Sequence, residues 1–335
     1  MKHLPNRRLW AAYLAAALLL LTALTMGVLC GAGRISLTEA LRAICTGNTQ
    51  STDGRILLYV RLPRVLGALL CGGALAASGA VIQGVLANRL ASPSIVGVNA
   101  GAGLAVTVAS ALGVIGGFRL SLFAFLGAFL AVMLVALGAR RLGASRGTVI
   151  LLGVAMNAFL GAISDTVITL APDVGIMSND FKIGDFSAVT YAKLWPAACL
   201  ILPALFLLIT LSHELDLLAL GEETARGLGL HTGRARCILL LPAALLAGAA
   251  VSIAGLLSFV GLLVPHAVRR LGGSRARHLI PLSALGGAGF VALCDTLSRV
   301  VAAPYELPVG ILLAFLGAPF FIFILIKTRG GRADA

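Results

Sequence analysis

Apolar positions along this chain do not alternate with polar ones; they run on. From Leu9 to Gly33 there are 25 consecutive uncharged residues, 24 more separate Arg64 from Arg89, and 32 lie between Arg236 and Arg269. A helix needs about 20 apolar residues to cross a hydrocarbon core of about 30 Å. The runs predict ten spans, at 9–30, 62–85, 92–113, 119–139, 148–170, 192–212, 237–256, 258–272, 279–299 and 308–327. One helix over 237–268 would be about 48 Å long at 1.5 Å per residue, too long for a single span. A break is therefore expected between Gly255 and Pro265, with a short eighth span after it.

This pattern predicts an all-α polytopic membrane protein forming one transmembrane domain. Of 335 residues, 59% are hydrophobic and 12% charged, where soluble proteins carry about 25% charged residues. The first uncharged run exceeds the roughly 7–15 residues of a signal-peptide core and reads as a retained span. The net charge of +13 comes from basic residues set singly or in short clusters between apolar runs. That is no nucleic-acid face; it is a topology signal. With both termini cytoplasmic, 17 Lys and Arg fall inside and nine outside: Arg34, Arg42, Arg55, Arg61, Arg64, Arg119, Lys182, Lys193 and Arg299. Merging the seventh and eighth spans would move Arg269 to Arg277 and the basic C-terminus outside, against the positive-inside bias.

Two stretches stand apart from plain anchors. Residues 61–101 begin with Arg61 and Arg64 and continue with a run crowded with Gly, Ala and Ser. Small residues let helix backbones approach closely, so tight packing is expected there. Residues 78–97 also echo 254–273, once in a span entering and once in a span leaving the cell, which suggests inverted repeats. The second stretch is the polar loop 213–236. It contains Glu222-Glu223-Thr224-Ala225-Arg226 between Gly221 and Gly227, and acids at its start predict a short helix.

Candidate chemistry is sparse. None of the four lysines completes a phosphate-binding G-K-S/T loop, so ATP, where used, is bound by another chain. The six cysteines show no metal-ligand spacing, and no cofactor or metal is expected. Ser78 has no histidine beside it to serve as a general base. Asp295 precedes Arg299 by four residues, the spacing of a helical ion pair. On the fifth span Asn157, Gly161, Ser164, Asp165 and Thr169 share one broad face. A carboxylate there costs about 2.5–3.5 kcal/mol on insertion scales and must meet water or a partner. That face either lines a translocation path or packs Asp165 against another helix. An ion-coupled carrier using Asp165, or an intramembrane enzyme using Ser78 or Asp165, are the alternative functions.

Six motifs in order resemble the FecCD-type permeases, membrane subunits of ATP-binding-cassette importers for iron-siderophores, haem and cobalamin. They are RLPR at 61–64, ALAASGAVIQG at 74–84, N-x-L-A-x-P-x-x-x-G at 88–97, LALGEETARGLGL at 218–230, GLLSFVGLLVPHAVR at 255–269 and ELPVGILLAFLGAPFFIFIL at 306–325. The resemblance spans about 10–328. It implies a ten-span fold in the cytoplasmic (inner) cell membrane, a homodimer with the path between copies, two ATPase subunits below and a soluble binding protein above. It further implies that Arg61, Arg64 and Arg299, supported by Asp295, dock the binding protein. Leu217, Gly221, Glu222, Glu223, Arg226 and Gly229 would couple to the ATPase, the fifth span would line the path, and Ala144 and Ser145 would form a cytoplasmic gate. Arg89, Phe181-Lys182-Ile183-Gly184 and Asp165 depart from the family's pattern.

Overall fold

The structure is a computed structural model that describes residues 6–31, 51–142 and 145–330, with side chains from Arg7 to Ile322. Thirteen helices account for the fold among these residues: α1 (Asn6–Leu29), α2 (Thr52–Val85), α3 (Val98–Ala111), α4 (Gly117–Arg141), α5 (Arg146–Leu170), α6 (Val174–Ile183), α7 (Tyr191–Thr210), α8 (Ser212–Ala219), α9 (Glu222–Gly227), α10 (Thr232–Ala254), α11 (Val260–Gly272), α12 (Ala276–Val301) and α13 (Val309–Gly330). Each expected span coincides with one helix. Seven are long and apolar enough to cross a membrane, and α13 has 22 residues.

Two spans are shorter than a bilayer. The expected span 92–113 is a 3-10 turn, Pro93–Val96, followed by the 14-residue α3. Pro93 cannot donate to a preceding α turn, and Gly97 turns the chain with φ 95° before α3 begins. The other is α11, 13 residues long, entered through Gly255 at φ 73° and Phe259 at φ 65°. Each segment of the internal echo thus contains a left-handed residue that opens a short helix, Gly97 before α3 and Phe259 before α11.

Non-helical backbone at membrane depth is tolerated only where protein satisfies it. Here the Leu256 amide donates to the Phe181 carbonyl at 3.0 Å, Asp185 to Ala254 at 2.8 Å, and Gly310 to Gly184 at 3.1 Å. The loop after α6 therefore braces the break between α10 and α11.

The core is centred on α2, α10 and α12, whose apolar windows are 83, 72 and 72% buried, against 17% for α1 and for α5. Small residues explain how three helices share one centre. A Cβ on Gly72 would fall on the Gly287 carbonyl oxygen, one on Gly287 on that of Gly72, and one on Gly79 on that of Gly261. Backbone contact of this kind brings α2 against α12 and α11, the arrangement small-residue stripes permit in lipid. Ser78, fully buried, donates to the Ala243 carbonyl at 2.7 Å; its hydroxyl is committed to packing α2 on α10.

Candidate functional site

Three features sit on this scaffold: an arginine cluster at one end, a polar segment at the other, and the face of α5 between them.

At the first end, the start of α2 meets the ends of α1 and α12. Arg61, Arg64 and Arg299 are all buried, only 6, 5 and 3% exposed. The family resemblance implies that they dock a binding protein; in the structure all three side chains turn inward. The reason is the C-terminus of α1, whose last carbonyls lack helical partners and carry the negative end of the dipole. Arg61 donates to Val28 and Leu29 carbonyls, both at 3.0 Å, and Arg299 to Gly27 and Cys30 carbonyls, both at 3.2 Å. Asp295 lies between the remaining charges. Its carboxylate accepts from Arg64 Nε at 2.9 Å and pairs with Arg299 Nε at 3.3 Å.

Arg64 also reaches the rim. Its Nη1 donates to Glu306 Oε2 at 2.6 Å, on a side chain that is 40% exposed. Its Nη2 is buried without a hydrogen bond, with Asp185 3.8 Å away. Neither acid was singled out in the sequence, although Glu306 opens the ELPVG motif.

At the other end, α8 and α9 form a structured segment. Gly221 at φ 110° and Gly229 at φ 84° delimit α9, backbone values that glycine adopts without strain. Glu222 bridges two arginines, accepting from exposed Arg226 at 2.7 Å and from buried Arg236 on α10 at 2.7 Å. The hydrogen bond from Arg236 holds the Glu222 carboxyl below the usual carboxylate range. A depressed carboxylate contributes stability above its ordinary pKa and loses it as pH falls through the lowered value. This link is thus intact at neutral pH and opens only on strong acidification. Glu223 is exposed and Leu217 half-buried.

The segment is wired to three further helices. Arg146, at the start of α5, donates to the Leu218 carbonyl at 2.8 Å. Asp216 accepts from the Ala276 amide at 2.8 Å, capping α12. Leu215 packs on Gly84 near the end of α2, where a Cβ would meet its side chain at 2.7 Å. Arg146 was absent from the sequence-derived set. Ser145 is the N-cap of α5, its hydroxyl accepting from the Thr148 amide at 3.1 Å; Ala144 lies outside the described residues.

The face expected on α5 splits in two. Asn157 donates to the Ser94 carbonyl at 2.9 Å and so braces the 3-10 turn before α3. Ser164 is buried in a hydroxyl cluster, 3.1 Å from Thr107, which is itself 3.1 Å from Ser178 on α6. These two residues anchor α5 to the rest of the bundle. Asp165 and Thr169 are exposed, and a Cβ on Gly161 would meet nothing within 4 Å. A 100° step per residue puts Asp165 and Thr169 on the stripe that includes exposed Leu151, Val154 and Ala158, about 80° and 120° around the helix from Asn157. No ion pair to Asp165 is present among the described residues.

Known proteins resemble the chain along most of its length. The chain is 37% identical to the uncharacterized ABC transporter permease protein YvrB of Bacillus subtilis, covering 99% of this chain and 98% of that one. It is 35% identical to the hemin transport system permease protein HmuU of Yersinia pestis, over 94% and 96% of the two chains. Its fold matches a solved ABC transporter, described as being of metal-chelate type and inward-facing, with a TM-score of 0.82 at 27% identity, covering 94% of this chain and 98% of that one. The model of the FecCD transport family matches residues 18–327, and the chain belongs to that family.

Proposed function

We propose that this multi-pass protein is the permease subunit of an ATP-binding-cassette importer that carries a metal chelate into the cytoplasm, with a ferric siderophore as first cargo and haem or cobalamin next. Two copies form a homodimer in the cytoplasmic membrane, both termini inside. Their exposed α5 faces, with Gly161, Asp165 and Thr169, line the path between them. Two ATPase subunits sit under the α8–α9 segment, and an extracytoplasmic binding protein delivers cargo to the Arg64 end.

The observation that carries this reading is the wiring of the α8–α9 segment. A partner that moves this segment pulls directly on α5 through Arg146 and on α10 through Glu222 and Arg236. An ATP-driven displacement is thereby passed to the helix proposed to line the path. Replacing Arg146 by glutamine is expected to lower chelate transported per ATP hydrolysed severalfold while the chain still folds, because a charge-assisted bond is worth about 1.5–3 kcal/mol. An unchanged ratio in proteoliposomes means that the segment does not act through α5.

Docking of the binding protein is proposed at the same end as Arg61, Arg64 and Arg299, but their burial changes how it proceeds. A carboxylate from the partner reaches Arg64 from the rim by competing with Glu306, since Asp295 already holds Arg64 Nε, and Arg61 and Arg299 are committed to the end of α1. The whole reading is tested by reconstituting the permease with its co-expressed ATPase and measuring uptake of a ferric siderophore delivered by the binding protein. Uptake dependent on ATP is expected. Uptake driven by an ion gradient in vesicles lacking the ATPase, and lost on Asp165→Asn, would establish the carrier alternative instead.

A further inference from the structure

An apolar groove of about 300 Å³ runs between α1, α11 and α12. Its walls include Ala16 and Leu19 on α1, Leu263 and Leu271 on α11, and Gly286 and Phe290 on α12. Every side chain lining it is apolar. The groove opens on the outer surface of the bundle, since α1 is among its least buried helices. From Leu263 to Leu271 it is about 12 Å long at 1.5 Å per residue, comparable with one leaflet of a hydrocarbon core of about 30 Å.

The composition of the groove's foot distinguishes it from ordinary lipid-facing surface. α1 and α12 begin, and α11 ends, at the same end of the bundle. At the foot of the groove each lining helix carries polar residues. The α1 stripe that includes Ala12 is preceded four residues earlier by Arg8, and the α12 stripe from Leu282 is preceded by His278. On α11, Ala267 is followed three residues later by Arg270. Tyr13 Oη lies 3.2 Å from His278 Nδ1, joining α1 to α12 at this level, and Arg277 is within electrostatic range of both rings. Arg8, Arg270 and Arg277 are exposed and form no ion pair among the described residues.

We propose that this groove is a binding site for one anionic phospholipid, its acyl chain seated between α1, α11 and α12 and its phosphodiester held by Arg8, Arg270 and Arg277. The chain needs a dry slot one leaflet deep and the headgroup needs positive charge at the slot's mouth; the two are found together here. Near a membrane surface each arginine strengthens binding of an anionic lipid about fivefold. A zwitterionic lipid of the same chain length gains the slot but not the charge. The site is independent of cargo and of the ATPase.

The test uses the full-length purified protein and native mass spectrometry, with phosphatidylglycerol and phosphatidylethanolamine of identical acyl chains as probes. Wild type is expected to retain one phosphatidylglycerol preferentially, by about tenfold or more given the headgroup arginines. The triple variant Arg8→Gln, Arg270→Gln, Arg277→Gln should lose that preference. Gly286→Leu should lose the bound lipid altogether: Gly286 lines the groove, and a Cβ there meets no backbone, only the Val264 and Val268 side chains at 3.5 and 3.8 Å, so the longer side chain is expected to occupy the slot. Thermal unfolding of each variant checks that the fold persists. Soluble glycerophosphoglycerol, which has the headgroup but no chains, should not displace the lipid; displacement by it would assign the site to a free phosphodiester and overturn the proposal. Equal retention of the two lipids by wild type, or unchanged retention in Gly286→Leu, overturns it as well.

Discussion

Replacing Asp295 by alanine is expected to destabilise the protein by about 3–5 kcal/mol, the cost of leaving buried charge without its partner. Asp295 is 1% exposed and faces two arginines that are themselves buried. Without its carboxylate, Arg64 and Arg299 confront each other in the interior beside Arg61. Arg64 would keep Glu306, and Arg299 the carbonyls of α1, so the cluster would loosen at its centre first. The expected result is a large drop in the unfolding temperature of detergent-purified protein and poor yield. Asp295→Asn should lose less, because its amide oxygen still accepts from Arg64. An alanine variant that melts with wild type would show that the cluster is solvated and not structural. By the same reasoning, charge reversal at Arg61 and Arg64 acts first on folding. It is a poor probe of docking; Glu306→Gln, on the rim, is the better one.

The second large effect is expected from Gly79→Val. A Cβ at Gly79 would coincide with the Gly261 backbone carbonyl, and the neighbourhood has little slack: a Cβ at Gly261 would meet Leu75 O at 2.8 Å and Pro93 at 3.1 Å. Overpacking a core costs about 1–3 kcal/mol where side chains can shift. Here the obstacle is main chain, so α2 and α11 must separate. That separation would also break the hydrogen bond from Gln83 Nε2 to the Gly261 carbonyl, 3.0 Å, and disturb the contact of Arg269 with Gln83. Loss of assembled protein is expected. Gly103→Ala is the control, since a Cβ there meets nothing within 4 Å and alanine favours the helix by about 1 kcal/mol. Equal yields of the two variants would refute close α2–α11 contact.

Much of the architecture was legible in the chain because membrane-spanning helices declare themselves by length and by the absence of charge. The break near Gly255 could be inferred because 32 uncharged residues suit neither one span nor two and because the arginines beyond it choose a side. The α9 helix was legible from its glycines and acids. By contrast α6 and α8, ten and eight residues long, were missed: neither is long enough for a period to stand out, and both lie in stretches that read as loops. The polar face of α5 was found but not its division, because a helical wheel shows which residues share a side and not which neighbour covers half of it.

The arginines mark the boundary most clearly. Sequence alone determined that Arg61, Arg64 and Arg299 belong to one end of the bundle and that Asp295 stands a helical turn from Arg299, since charge bias fixes sidedness and i, i+4 spacing fixes local pairs. Only the tertiary structure decided their depth. Arg64 meets Asp295 across 231 residues of chain, and the carbonyls at the end of α1 accept from Arg299 across about 270. Burial of a charge depends on donors and acceptors that packing brings together, and no local pattern in the chain encodes that meeting.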